Sequence, residues 1–169
     1  MKHFLAVIAV ALVAGCSGPG EPLPDNLLAS LDKGAYKGQW VVINYWAKWC
    51  KPCIKEIPEL NALDRKYEQV AVLGVNFDGA RGEELQAQIN QLGIAFPIIL
   101  EEPSAALGTQ LPQVLPATLI LDPDGKLVTN LVGPHDLESL ALATGQVGMP
   151  EAGPTTDDLV PGESSSQTP

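Results

Sequence analysis

The chain is predicted to fold as an α/β domain on a sheet of mixed direction, and three observations carry that prediction. The run Trp40-Val41-Val42-Ile43-Asn44-Tyr45-Trp46 is dense in β-branched and aromatic residues, as a central strand buried on both faces requires. A helical stripe follows it: Ile54, Ile57, Leu60, Leu63 and Tyr67 recur at spacings of three and four. Strand-like and helix-like segments then alternate until a terminal hairpin and helix, which makes part of the sheet antiparallel.

Each element has its own local reason. The helix at 51–67 keeps Lys55, Glu59, Asp64 and Lys66 mostly off its apolar stripe, and Pro58 inside it should kink it. Residues 70–77 form a second apolar strand. Residues 82–92 form a helix with Glu83 and Glu84 in the first turn, a Leu85/Ile89/Leu92 stripe and Gly93 at its end. A strand is expected at 96–100, a short helical turn at 104–109 and a strand at 117–121. Asp122-Pro123-Asp124-Gly125 is a turn, because Pro presets φ and Gly accepts φ > 0. Residues 126–132 complete the hairpin. A last helix at 135–143 offers Leu137, Leu140 and Leu142 for packing, with His135 capping or decorating its start and assigned no chemistry.

The two ends read differently. Lys2 and His3 precede an apolar run, Phe4 to Ala14, that is too short to span a bilayer, which needs roughly 20 residues, but fits a secretory h-region. It ends in Val13-Ala14-Gly15-Cys16, which resembles a bacterial lipobox. That resemblance implies lipidation of Cys16 and cleavage before it. Residues 1–15 are then a signal peptide, and 16–25, rich in Gly and Pro, a lipidated tether reaching on the order of 15–20 Å. The folded domain is expected over 26–147, where Leu27, Leu28 and Leu31 suggest a short helix or a docking patch. Residues 148–169, made of Pro, Gly, Ser, Thr and acids, are expected to be a disordered acidic tail.

The formal net charge is −10, with no Lys or Arg after Lys126. This excludes a basic nucleic-acid footprint and electrostatic attraction to anionic lipid. Membrane contact would fall to the acyl chains on Cys16, since multiple chains anchor stably.

Cys50 and Cys53 are the other two cysteines. A thiolate is the species that attacks a disulfide, and a free cysteine titrates near 8.5. Cys50 falls where a strand gives way to a helix, so its sulfur can face unpaired backbone N–H groups and the positive end of the helix dipole. Lys48 and Lys51 add positive charge, and Pro52 occupies the first turn, where its missing N–H costs nothing. Cys50 is therefore read as the exposed attacker and Cys53 as the buried resolving thiol. Glu56, one turn beyond Cys53, is either its proton acceptor or a solvated charge pairing with a neighbouring Lys. Zinc would need two more ligands, and only His3 and His135 exist; a c-type haem site would need His directly after Cys53, where Ile54 stands. No metal and no cofactor is expected. Trp46 is read as core, and Trp49 as part of an apolar docking surface.

Asn44-Tyr45-Trp46-Ala47-Lys48-Trp49-Cys50-Lys51-Pro52-Cys53, followed by Glu56-Ile57-Pro58-Glu59-Leu60, resembles the TlpA/ResA/DsbE-like thiol-disulfide oxidoreductases of the thioredoxin superfamily. The likeness covers roughly residues 31–143. It implies a thioredoxin fold with a helix-strand insertion over 82–100. It also implies that Leu115-Pro116-Ala117-Thr118 is the family's cis-proline segment, with Pro116 facing the cysteine pair and its neighbour Leu115 pairing with bound substrate. Trp49, Lys51 and Pro52 would complete the substrate-binding surface. Glu56 matches the branch's active-site glutamate. Where plain thioredoxin has a buried Asp, this chain has Asn44, as the branch commonly does, so general-base duty must lie elsewhere.

The function so implied is reduction of disulfides in exported cysteine-containing proteins, including apocytochrome c, on the outer face of a bacterial membrane. A membrane thiol reductase of the CcdA or DsbD type would supply the electrons. The competing readings are an oxidant of exported thiols and a client-binding or copper-metallochaperone module without turnover.

Overall fold

The computed structural model describes residue 34 and residues 36–148. The signal peptide, Cys16, the tether, the Leu27/Leu28/Leu31 patch and the tail beyond residue 148 lie outside the described residues.

Five strands form one sheet in the order β3-β2-β1-β4-β5: β1 (Trp40–Trp46), β2 (Val70–Asn76), β3 (Ile98–Ile99), β4 (Ala117–Leu121) and β5 (Leu127–Val132). β1 is central, parallel to β2 and antiparallel to β4. Helix α1 (Lys51–Lys66) makes the crossover from β1 to β2, and α2 (Gly82–Leu92) the one from β2 to the parallel β3. β4 and β5 form the antiparallel hairpin, and α3 (Leu137–Ala143) follows it. This is a thioredoxin-like α/β fold.

Alternation along β1 divides the core in two. Val42 and Trp46 join one cluster, with Cys53, Ile57, Leu60 and Leu63 from α1, Leu85 and Ile89 from α2, and Leu140 from α3. Val41, Ile43 and Tyr45 join the other, with Leu73, Val75, Leu119 and Leu121. Every β1 residue after Trp40 is buried, as the apolar run predicts for a strand covered on both faces.

Several boundaries differ from expectation: the helix expected at 51–67 ends at Lys66 and the strand expected at 70–77 at Asn76. The strand predicted at 96–100 shrinks to Ile98–Ile99, since Pro97 has no N–H to give a ladder and contributes only its carbonyl, which accepts Gly74 N–H. Residues 104–109 form overlapping hydrogen-bonded turns rather than a helix; Leu107 and Thr109 N–H both bond back to the Ser104 carbonyl, and Gly108 has φ +68°. Lys126 belongs to the turn, its N–H held by Asp122 Oδ1, so β5 starts at Leu127. The last helix starts at Leu137, and Asp136 rather than His135 caps it, accepting Ser139 N–H at 2.9 Å. α1 continues through Pro58 to Lys66. No helix among the described residues is long and apolar enough to cross a membrane.

Gly74 on β2 is where side chains from three elements converge. A Cβ there would lie 2.7 Å from Ile98 Cδ1, 2.9 Å from Phe96 Cε2 and 3.0 Å from the Trp46 indole nitrogen. Trp46 and Phe96 are fully buried rings with no room to withdraw. Gly74→Ala should therefore lower stability by about 1–3 kcal/mol through overpacking. Denaturant unfolding measures this, and an unchanged midpoint would show that the rings re-pack freely.

Candidate redox site

The site begins where β1 stops. After Trp46 the chain turns, with Cys50 N–H bonded to the Ala47 carbonyl at 3.1 Å, and Cys50 becomes the N-cap of α1 with extended φ/ψ of −81° and 94°. Its Sγ accepts Cys53 N–H at 3.2 Å, so the sulfur takes the place that a Ser or Asp oxygen fills at other helix starts. Cys50 and Cys53 are joined as a disulfide with their Cα atoms 5.3 Å apart. The first turn of α1 carries no acid; Lys51 and Pro52 are exposed there. Both features favour a thiolate at Cys50 once the bond is reduced. The predicted contrast between an exposed and a buried sulfur is slight in the disulfide form, with Cys50 4% exposed and Cys53 1%.

Trp49 projects beside the disulfide at 60% exposure, and its indole N–H donates to both carboxylate oxygens of Asp78, at 3.0 and 3.1 Å. Asp78 is not legible in the sequence as part of the site, since nothing local marks an exposed acid in a loop 29 residues away as a partner for that indole. Trp46 lies in the core, with no hydrogen-bond partner for its indole nitrogen among the described residues.

The segment 115–118 returns to the same end of the sheet. The register pairs Tyr45 with Ala117, which brings Pro116 level with Trp46, the residue from which the chain runs on towards Cys50. The Leu115-Pro116 bond is cis and Pro116 is buried. Leu115 is half-buried and packs against both core clusters.

Glu56 is 1% exposed and forms no ion pair among the described residues, so the solvated, lysine-paired alternative does not occur. Its Oε2 accepts Asn44 Nδ2–H at 3.0 Å, and its Oε1 accepts His135 N–H at 3.0 Å. The Asn44 amide also donates to Thr118 Oγ1 at 2.9 Å. The Glu56 carboxyl thus joins α1, β1 and the approach to α3, and the Asn44 amide extends the network to β4. One turn on, Glu59 Oε2 accepts Leu137 N–H at 3.1 Å, a second tie between the same two helices. Neither the Thr118 hydroxyl nor the His135 backbone declares itself in the sequence; an isolated Asn within an apolar strand is the one legible sign of a buried polar network.

Burial raises the Glu56 carboxyl from 4.5 to about 7, opposed by the His135 N–H and the Asn44 amide, which both favour the charged form. A carboxyl poised there can exchange a proton at neutral pH.

Residues 20–130 match a family model described as the AhpC/TSA family. The chain is 34% identical over 105 residues to the thiol-disulfide oxidoreductase ResA of Bacillus anthracis, a match covering 62% of this chain and 61% of that protein's length. It is 30% identical over 128 residues to the protein of the same name from Geobacillus thermodenitrificans, covering 72% and 73% respectively. Among solved structures, a putative thioredoxin from Neisseria meningitidis superimposes with a TM-score of 0.55 at 23% identity, covering 76% of this chain and 87% of that one; this likeness is one of fold.

The raised Glu56 value has a consequence for stability. The folded protein holds the Glu56 proton more tightly than the unfolded chain between about pH 4.5 and 7, so this contribution is complete below about pH 4.5 and is lost as pH rises through about 7. The loss should approach about 3 kcal/mol, because each tenfold difference in proton affinity between the folded and unfolded states is worth roughly 1.4 kcal/mol. Denaturant unfolding of wild type and Glu56→Gln at pH 5 and pH 8 checks this. Wild type should lose more stability than the variant on going to pH 8, and parallel profiles would show that Glu56 titrates normally.

Proposed function

The chain belongs to the AhpC/TSA family of the thioredoxin superfamily, and from that premise we propose that it is a thiol-disulfide oxidoreductase acting through Cys50 and Cys53. The observation that carries this reading is the Cys50–Cys53 disulfide at the N-terminus of α1, with a buried carboxyl poised near neutral pH one turn further along the same helix. The names of the ResA relatives support it.

In the reducing direction, the Cys50 thiolate attacks a client disulfide, forming a mixed disulfide and releasing one client thiolate. Cys53 passes its proton to Glu56, directly or through water, and the Cys53 thiolate then attacks Cys50 Sγ. The second client thiolate leaves and is protonated. The client gains two electrons and the Cys50–Cys53 pair loses two, and a membrane thiol reductase of the CcdA or DsbD type restores the pair. The family resemblance supports a client strand pairing with the backbone at Leu115 and cis-Pro116, and the exposed Trp49 offers an apolar face for the client. Clients are exported cysteine-containing proteins, among them apocytochrome c. The work takes place outside the cytoplasm, with the chain held to the bilayer through lipidated Cys16; the short apolar leader and the Val13-Ala14-Gly15-Cys16 motif support this.

Two measurements test the reading on the full chain in detergent. Equilibration in glutathione buffers should return a potential near that of thioredoxin, about −270 mV, or in the glutaredoxin range; a value near DsbA's, about −120 mV, would reverse the direction of electron flow. Cys53→Ser should accumulate a client-linked species on a non-reducing gel, while Cys50→Ser should abolish insulin-disulfide reduction. Retained client binding with no turnover in wild type would instead favour the binding-module reading.

A further inference from the structure

We propose that Asn44, held by Thr118, is the positioning residue that allows Glu56 to take up and return the Cys53 proton, by turning its amide over as the carboxyl changes protonation state. This role rests on the redox reading of Cys50 and Cys53 given above.

Asn44 is 1% exposed in the middle of β1. Its Nδ2 uses both hydrogens, one on Glu56 Oε2 and one on Thr118 Oγ1, while its Oδ1 has no partner among the described residues. A buried amide oxygen without a donor is costly, so this orientation does not satisfy the Asn alone. It serves the carboxylate: each Glu56 oxygen receives an N–H, from Asn44 and from His135. A carboxylic acid in the same place would have an O–H and need an acceptor.

A half-turn of the Asn44 amide supplies one, at the cost of moving Nδ2 to the position where Oδ1 has no partner among the described residues. Oδ1 would then face Glu56 and Thr118, accepting the acid's O–H and the Thr118 hydroxyl hydrogen. A hydroxyl both donates and accepts, so Thr118 stays bonded in either orientation. The His135 N–H is backbone and cannot reverse, which leaves it on Oε1 throughout. Around Glu56, α1 carries Cys53, Lys55 and Glu59, and the approach to and start of α3 carry His135, Asp136 and Glu138. On β1, Tyr45 belongs to the opposite core cluster, and the neutral Asn44 and Thr118 are what β1 and β4 bring to this network. Burial, the His135 N–H and the Asn44 amide account for the shift at Glu56, with no charged neighbour among its causes. The amide is therefore the adjustable partner. An Asp in its place would compete with Glu56 for one proton.

In turnover the Cys53 S–H bond breaks and its proton goes to Glu56, directly or through water, and Asn44 turns from donor to acceptor. When the proton leaves towards the departing client thiolate, Asn44 turns back. No electron passes through either group.

The test follows both partners by NMR in the full chain, in the disulfide form, where neither cysteine titrates. The Asn44 Nδ2 amide signals should move with pH, sharing the midpoint of the Glu56 carboxyl carbon. Asn44→Ala should raise the Glu56 midpoint by about one pH unit, because the charge-assisted hydrogen bond that Asn44 gives the carboxylate is stronger than the neutral one it accepts from the acid. Thr118→Val should move it the same way and Thr118→Ser restore it, with the pH profile of disulfide reduction displaced in step. Asn44 signals that stay flat through the Glu56 titration, or a folded Asn44→Ala with an unchanged midpoint, would overturn the inference. If Asn44→Ala does not fold, the wild-type amide titration and the Thr118 pair decide. A wild-type chain that shows the coupling but reduces no disulfide would sink the redox reading while the hydrogen-bond switch stands.

Discussion

Burial of β1 on both faces is the constraint from which the remainder of the structure follows. A strand with no solvent side must be covered by side chains from above and below, and must pair along both edges to satisfy its backbone. β2 and β4 supply the edges. α1 reaches β1 from the strand's own C-terminal end and lays Ile57, Leu60 and Leu63 over Val42 and Trp46. The tight turn that redirects the chain into α1 puts Cys50 at the cap and Cys53 one turn in. Ala47, Cys50 and Cys53 are buried at this junction, while Lys48, Trp49, Lys51 and Pro52 around them are open to solvent.

The same junction explains a charged residue type in the interior. Side chains on α1 that face the sheet between Cys53 and Ile57 land on β1, and at Glu56 the group that lands is a carboxyl. It is tolerated because Asn44 and the His135 N–H reach it, and burial holds its proton near neutral pH. The hydrogen bond to His135 and the neighbouring one from Leu137 to Glu59 also dock the start of α3 on α1. The buried carboxyl raised towards neutral pH therefore shares atoms with the docking of α3 on α1. The Tyr45 hydroxyl does a related job on the other face, tying β1 to Glu102 and Ser104 in the loop after β3.

Much of this is legible in the residues alone. The central strand, the α1 stripe, the Asp122–Gly125 turn and the second helix follow from periodicity, apolar density and turn chemistry, which act over a few residues. Element ends are less legible, and the reasons are local competitions: Pro97 limits a strand, Asp122 captures Lys126, and Asp136 outcompetes His135 as a cap. The site divides the same way. A Cys-x-x-Cys at a strand-to-helix junction, with Pro52 in the first turn, declares itself from spacing alone.

The sequence by itself determined the mixed α/β class, the order of elements, and the placing of Cys50 and Cys53 at a helix start. Those properties depend on residues that are neighbours in the chain. Tertiary structure decided that Glu56 is buried rather than solvated, that Asn44 and Thr118 meet it from two strands, that the His135 backbone completes its shell, and that Pro116 comes level with the end of β1. These are contacts across 12 to 79 positions of sequence. Whether a carboxyl faces water or the sheet depends on which strand passes beneath its helix, and only the assembled fold specifies that.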